Sequence, residues 1–269
     1  MGEQKYPASR QGRERSMKPV NVLGICGSPR KGNSQFLLEK ALEGSREVRG
    51  VTTRAYAMRG KKFEPCIACS HCEKHDGECV HKDDFSELKA LWLDADVILY
   101  SVPVYHMTMP GQLKCFIDRL GNSMFGTYRS QLPAGSETIP KLLKVIGSIA
   151  QGMHIFSGQE HTITDLINHA LVMQSVPVTA DLWQSYIGAG GWTGNRPERD
   201  ALENLAEAAE IGAVAAVQAS RTLGRRAVEM AMIIRSGLMA RRELLAEDPL
   251  YGPVLSRLEG AAEEGMEQR

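Results

Sequence analysis

Four of the six cysteines in this chain lie in one short polar segment, in the pattern C-x2-C-x2-C-x6-C. Thiolates grouped in this way are ligands for an iron–sulfur cluster or for zinc. Two residues between successive cysteines let one loop wrap a compact metal group, and a turn at residues 75–77 can bring the fourth cysteine back to it. The segment therefore predicts a metal or redox site. Its candidate ligands are Cys66, Cys69, Cys72 and Cys79.

The sequence leaves three interpretations of this loop open. The chain has no second cysteine run, so all four thiolates would serve one [4Fe–4S] cluster. Zinc is the rival, although structural zinc usually joins two C-x2-C pairs that lie far apart. Free thiols on a surface loop are the third alternative. The two other cysteines, Cys26 and Cys115, are predicted to be packing residues.

Strands and helices alternate along most of the chain. Short apolar runs predict five strands, at residues 20–26, 51–57, 97–102, 142–149 and between 175 and 187. Helical spacing of apolar residues follows most of them, and Asp84 with Glu87 suggests a capping box before one helix. This alternation predicts an α/β fold, a flavodoxin-like, doubly wound, five-stranded parallel sheet in the order 2-1-3-4-5.

Three regions are predicted. Residues 1–17 are expected to be a disordered leader, residues 18–198 the sheet domain, and residues 199–269 a C-terminal helical extension. We expect that the sheet does not need this extension, which would pack on the core or support a homodimer or homotetramer. The glycine-rich residues 188–195 are interpreted as a flexible joint, with a mobile flap as the alternative.

The overall composition limits the possible partners. The chain balances 32 Lys and Arg residues against 32 Asp and Glu residues, which argues against nucleic acid or an anionic membrane as the main partner. No apolar run reaches the roughly 18 residues that would suggest a membrane span, and the first residues lack the apolar stretch of a signal peptide. We therefore expect a cytoplasmic protein, in which a disulfide framework is not expected.

A glycine-containing polar loop, GSPRKGNS at residues 27–34, joins the first strand to the first helix. Helix N-termini carry unpaired N–H groups and a partial positive charge, so they bind phosphate well. Lys31 precedes Gly32, so the loop is not the G-x-x-x-x-G-K-[ST] motif of nucleoside triphosphatases, and the dinucleotide pattern G-x-G-x-x-G is also absent. An ordinary polar turn is the alternative to a phosphate site.

Three segments resemble the flavin-contacting segments of the NAD(P)H-dependent FMN reductase family. They are GSPRKGNS at 27–34, SVPVYHMTMPGQLKCFIDR at 101–119 and SGQEHTITDL at 157–166. The cysteine loop between the first two is similar to that of the iron–sulfur flavoproteins within this family. The resemblance covers roughly residues 20–187.

The resemblance implies a set of FMN contacts. The phosphate would be held by Ser28, Arg30, Asn33, Ser34 and Gln35. The isoalloxazine ring would be lined by Pro103, Val104, Tyr105 and His106 and flanked by Ala150, Gln151, Gly152 and Met153. The chemistry of hydride transfer belongs to the flavin and requires no protein base. His106 and His154 are the only candidates to hydrogen-bond the flavin or to donate a proton.

The resemblance also implies the activity. It indicates an FMN-dependent oxidoreductase that passes electrons between NAD(P)H, or a reduced electron carrier, and a small acceptor such as a quinone or nitro compound, with the [4Fe–4S] cluster taking part. The alternative is an electron-transfer protein that works between partner proteins, such as a ferredoxin-like carrier, and has no small substrate.

Overall fold

The computed structural model describes residues 18–263, so the predicted leader at 1–17 lies outside the described residues. Six parallel strands form one sheet in the order β2-β1-β3-β4-β5, and β6 also pairs with β4. The strands are β1 (Val20–Cys26), β2 (Val51–Ala57), β3 (Val97–Pro103), β4 (Val145–Gly152), β5 (Val176–Val178) and β6 (Ala189–Trp192). The predicted doubly wound order is confirmed.

Helices connect and cover these strands. They are α1 (Asn33–Arg46), α2 (His71–Lys74), α3 (Phe85–Asp94), α4 (Gly111–Tyr128), α5 (Gln159–Val172), α6 (Ala201–Glu207), α7 (Ile211–Ala240), α8 (Arg242–Leu245) and α9 (Gly252–Glu263). Within residues 18–263, none of them is long and apolar enough to cross a membrane.

Two short strands share the place of the predicted fifth strand. β5 pairs with Val145–Gly147, and β6 pairs with Ile149–Gly152 further along the same edge of β4. The predicted range of 175–187 missed β6, and residues 189–192 are a strand rather than a joint or a flap. The two glycines of the sequence AGGW disfavour a strand. Its small residues let β6 fit closely, since a Cβ on Gly191 would lie 3.0 Å from Leu37 and 3.1 Å from Gln151.

The long helix α7 covers one face of the sheet. Its buried alanines share a hydrophobic core with Val22, Leu99 and Ile149 of the strands and with Leu37 of α1. Helices α3, α4 and α5 cover the other face. The expectation that the sheet does not need the C-terminal helices is therefore wrong, because α7 buries this face together with α1.

Helices α1 and α7 touch through their backbones at two glycines. A Cβ on Gly224 would overlap the carbonyl oxygen of Ala41, and a Cβ on Gly44 would overlap that of Arg221. Between them, the buried Ser45 hydroxyl lies 3.0 Å from the Ala41 oxygen and 3.2 Å from the Gly224 oxygen. This spacing sets how closely α7 lies against the sheet.

We expect Gly224→Ala to lower the free energy of unfolding by about 1–3 kcal/mol, because the added methyl group must push the two helices apart. Gly237→Ala on the same helix is the matched control, since nothing lies within 4 Å of its Cβ position. That control should be neutral or stabilising, by up to about 1 kcal/mol. Denaturant unfolding measures both, and equal stability of the two variants would contradict the backbone contact.

Candidate functional site

The loops that follow β1, β3 and β4 meet at one edge of the sheet. The Gly27 N–H donates to the Ser101 carbonyl over 3.0 Å, and the Val104 N–H donates to the Gln151 carbonyl over 2.8 Å. The carboxyl ends of parallel strands are where ligands bind in sheets of this topology. The three segments predicted to contact a flavin therefore do come together.

The phosphate loop (residues 27–34) has the features of an anion site. Ser28 and Ser34 are buried at its two ends, and the Ser28 hydroxyl donates to the Arg30 carbonyl over 2.8 Å. Helix α1 starts with no side-chain cap and no acidic residue in its first turn. Its first N–H groups therefore face the loop without a competing carboxylate, as anion binding requires.

Two predicted phosphate contacts have their side chains engaged elsewhere. Asn33 donates through Nδ2 to the Glu198 carbonyl over 3.0 Å and accepts the Leu202 N–H over 2.9 Å. Gln35 donates along the helix to Glu39 over 2.9 Å. Their part in holding a phosphate stays a prediction, and only their backbone N–H groups remain to serve it.

The loop after β3 forms a tight turn that presents an exposed edge. Tyr105 and Thr108 pair by two backbone hydrogen bonds of 2.8 and 3.0 Å. The two residues between them, His106 and Met107, have left-handed φ angles of 46° and 69°. Thr162 of α5 donates to the Met107 carbonyl over 3.3 Å and holds the turn in place. Tyr105, His106 and Met107 are exposed at the sheet edge.

The loop after β4 closes the other side. Ala150 and Gly152 are buried, whereas Met153 is exposed. The Gln151 amide donates to the Ser34 hydroxyl over 3.4 Å, and its Oε1 is buried without a hydrogen-bond partner in the described part of the chain. His154 is exposed, and its Nδ1 lies 2.7 Å from Asn195 Oδ1. Gln151 therefore offers an unsatisfied acceptor in the loop that the resemblance places beside the flavin ring.

All four cysteines of the predicted metal loop line one cavity of about 100 Å³, here called the cysteine cavity. The cavity is completed by His81 and by three residues of α4, Arg119, Asn122 and Ser123. On both sides of Cys69 the backbone is left-handed, with φ angles of 52° and 55°. These reversals curl the loop so that separate thiols face the same space.

A buried ion pair anchors both ends of the cysteine loop. Arg119 and Asp83 are joined by two hydrogen bonds of 2.7 and 2.9 Å, and their side chains are 1% and 2% exposed. Arg119 also donates to the Glu64 carbonyl, and Asp83 accepts the Glu64 N–H over 2.8 Å. Burial alone would raise the pKa of Asp83, but the guanidinium and two backbone N–H groups hold it below its ordinary value.

The walls of the cysteine cavity supply donors that suit sulfur. Asn122 donates to the Cys66 sulfur over 3.4 Å. Arg119 Nε and His81 Nε2 are buried without hydrogen-bond partners in the described residues. Burial would lower the pKa of Arg119, but Asp83 and the neighbouring Cys79 raise it. Burial also raises the pKa of Cys72. The unpaired Arg119 donor fits an acceptor held by the four cysteines, and His81 adds a second donor when its Nε2 carries the proton.

A glycine on α4 lets the cysteine loop approach closely. A Cβ on Gly126 would overlap the Cys72 carbonyl and lie 2.6 Å from the Gly77 nitrogen. Sequence reasoning missed Arg119, Asn122 and Gly126. One signal was available, because Arg119 follows Phe116 by three residues and so shares the apolar face of α4.

The predicted capping box of Asp84 and Glu87 is wrong. The Asp84 carboxylate accepts the Lys62 N–H and makes no capping hydrogen bond to α3.

The cysteine cavity lies beside α4 rather than next to the phosphate loop. Residues 119–123 come 8 to 12 positions after Gly111, which places them about 12–18 Å along the helix from the sheet edge. The chain leaving β2 first binds the start of α4, where Gln112 donates to the Met58 carbonyl over 3.2 Å. The loop then continues down the flank of the helix to its cysteines.

The sheet order, the uncapped phosphate loop and the two loops beside it define a flavodoxin-like flavin-binding protein. The sequence model of the family described as NADPH-dependent FMN reductase matches residues 20–184, more than half of the chain. An iron–sulfur flavoprotein of Archaeoglobus fulgidus is 34% identical over 186 residues, 69% of this chain and 87% of that protein. The chain therefore belongs to the FMN reductase family, in its iron–sulfur flavoprotein subgroup.

One further relative agrees with this assignment, and one solved structure agrees with the fold. An iron–sulfur flavoprotein of Methanocaldococcus jannaschii is 30% identical over 217 residues, covering 80% of this chain and 100% of that protein. Among solved structures, RosB with a bound 8-demethyl-8-formylriboflavin-5′-phosphate has a TM-score of 0.56. The match covers 91% of this chain and 87% of the RosB chain at 16% identity, so it supports the fold alone.

We expect Asp83→Asn to lower the free energy of unfolding at pH 7 by about 3–5 kcal/mol, because it leaves Arg119 buried and unpaired. The native pKa of Asp83 is lowered, so its contribution is complete above its unfolded pKa of about 3.9 and is lost as the pH falls through the native pKa. The difference in unfolding free energy between the wild type and Asp83→Asn should therefore shrink below about pH 4. Denaturant unfolding across this pH range measures it.

Asp118→Asn is the matched control, since Asp118 pairs with Lys114 in an exposed position on α4, the helix that carries Arg119. Its loss should be about 1 kcal/mol or less. A loss for Asp83→Asn no larger than that of the control at pH 7 would show that the buried pair does not anchor the loop.

Proposed function

We propose that this protein is an FMN-dependent oxidoreductase with a [4Fe–4S] cluster in its cysteine loop. In this proposal NAD(P)H or a reduced carrier supplies electrons, and a small acceptor such as a quinone or nitro compound receives them. The observation that carries the proposal is that four cysteines surround one cavity in a chain of the FMN reductase family.

The residues at the sheet edge fit FMN. The uncapped start of α1, with Ser28 and Ser34, would hold the phosphate, and Arg30 would add positive charge beside it. Tyr105 and the Gln151 side chain would contact the ring system, where the free Oε1 of Gln151 can accept an N–H. Bound FMN supplies the hydride and single-electron chemistry, while the protein binds, orients and shields it.

The cysteine cavity fits a multi-atom cluster better than one ion. Zinc requires thiolates about 2.3 Å from a common centre. Within residues 18–263, no group of three or more His, Cys, Asp or Glu side chains is arranged to hold a metal ion, and this favours neither zinc nor a cluster. The four cysteines line a cavity of about 100 Å³, which has room for more than one ion, and Asn122, Arg119 and His81 line the same cavity. Hydrogen bonds to sulfur tune the potential of such clusters.

A small acceptor has room beside the proposed flavin site. Met107 of the β3 turn also lines an open groove of about 660 Å³ between α5, β6 and the start of α7. The walls of this groove include Phe156, Tyr186 and Trp192. Its volume lies in the range of small-molecule sites, and its aromatic walls suit a flat acceptor. This groove favours the enzyme over the pure carrier.

One observation favours the electron-carrier alternative. Cys69 is exposed, and the apolar side chains beside the cysteine cavity, Ile67 and Val80, are 59% and 43% exposed. An exposed apolar rim around a redox group is suited to transient docking of a protein partner. Under this second candidate, the cysteine loop would exchange electrons with a carrier and the groove would have no substrate.

Steady-state oxidation of NADPH and NADH by the purified holoprotein separates the two candidates. We expect quinone-dependent oxidation of at least one nucleotide well above the rate of an equal concentration of free FMN, because the protein orients donor and acceptor at the ring. A rate no better than that of free FMN, together with rapid reduction by a ferredoxin-like protein, would contradict the enzyme and support the carrier.

A further inference from the structure

Residues 193–200, here called the strap, connect two of the loops that surround the proposed flavin site. The strap begins after β6 at the β4 loop, where the Thr193 N–H donates to the Gly152 carbonyl over 3.1 Å. Two residues later the Asn195 N–H donates to the Met153 carbonyl over 2.9 Å, and the Asn195 side chain contacts His154. This end of the strap is therefore fixed to the loop that flanks the ring.

The other end of the strap lies against the phosphate loop. Asn33, which is 6% exposed, binds the Glu198 carbonyl with its Nδ2 and the Leu202 N–H with its Oδ1. One residue earlier, a Cβ on Gly32 would lie 2.9 Å from the Arg199 carbonyl oxygen and 3.4 Å from the Arg199 Cβ. The backbone and Cβ of Arg199 therefore lie against the phosphate loop, and only glycine at position 32 permits this approach.

The Arg199 guanidinium is exposed and makes no hydrogen bond or ion pair within residues 18–263. Its neighbours Glu198 and Asp200 are also exposed, and the structure uses their carbonyl oxygens rather than their carboxylates. The first turn of α1 has no acidic residue to neutralise the guanidinium. A long cationic side chain without a partner in the described residues is thus attached where the strap contacts Gly32, one residue before α1 begins.

We propose that Arg199 is a ligand of the FMN phosphate and that Asn33 is the positioning residue that fixes the strap so that Arg199 reaches it. This inference rests on the proposed function and names a contact in its flavin site. A guanidinium suits phosphate because it donates parallel N–H groups in a fixed fork. The strap also explains why the chain crosses from the β4 loop to the phosphate loop before α6.

The test compares FMN with riboflavin, which lacks the phosphate. The full-length protein freed of flavin is titrated with each compound, and the dissociation constants are read from flavin fluorescence. We expect Arg199→Ala to weaken FMN binding about tenfold or more, the effect of losing a charge-assisted hydrogen bond, and to leave riboflavin binding unchanged. Arg199→Lys should recover part of the loss. Arg49→Ala, at an exposed arginine before β2, should change neither constant.

The role of Asn33 is tested by combining variants. We expect Asn33→Ala to weaken FMN binding by a factor similar to that of Arg199→Ala, and the double variant to be no weaker than either alone. If the double variant instead weakens FMN binding by the product of the two single factors, Asn33 contacts the phosphate independently, and its positioning role is overturned. Thermal unfolding of each variant checks that the fold is retained.

Three outcomes would overturn the role of Arg199. An Arg199→Ala variant that binds FMN as tightly as the wild type excludes the contact. Equal weakening of FMN and riboflavin assigns the effect to the fold or to the ring rather than to the phosphate. A wild-type chain that binds neither compound contradicts the proposed function itself, and the inference fails with it.

Discussion

The buried pair of Arg119 and Asp83 is the interaction on which the proposed cluster site depends. It joins the middle of α4 to both ends of the cysteine loop, through the Glu64 backbone on one side and Asp83 itself on the other. A pair with both partners almost fully buried is not a strong source of stability, but removing one partner is costly. Its consequence is geometric, because it holds a loop with little regular structure in one shape around a cavity.

Much of the fold was predictable because its signals are local. The fully buried strand β3 is apolar except for Ser101, and the order of the parallel strands followed from their alternation with helices. The grouping of the four cysteines in one site was also readable from their spacing. By contrast, β6 depends on tertiary contacts of a glycine pair, and the side chain of Asn33 is directed by residues about 165 positions away. Local patterns carry no information about such contacts.

The architecture separates the two proposed redox groups while keeping them on one structural element. The turn before α4 belongs to the flavin edge, and Arg119, Asn122 and Ser123 of the same helix line the cysteine cavity. The cysteine cavity thus lies about 12–18 Å along α4 from the start of the helix at the sheet edge, and the exposed Cys69 opens it to the protein surface. On the other side of the sheet, α7 packs on α1, and the strap contacts the phosphate loop at Gly32 and Asn33.

Iron, acid-labile sulfide and flavin measured together on anaerobically purified protein test the central claim most directly. The account predicts about four iron and four sulfide atoms per chain beside one FMN, with a broad visible absorbance that bleaches on reduction. Protein that contains FMN with no iron, or with one zinc per chain, would contradict the assignment of the cysteine cavity to a [4Fe–4S] cluster.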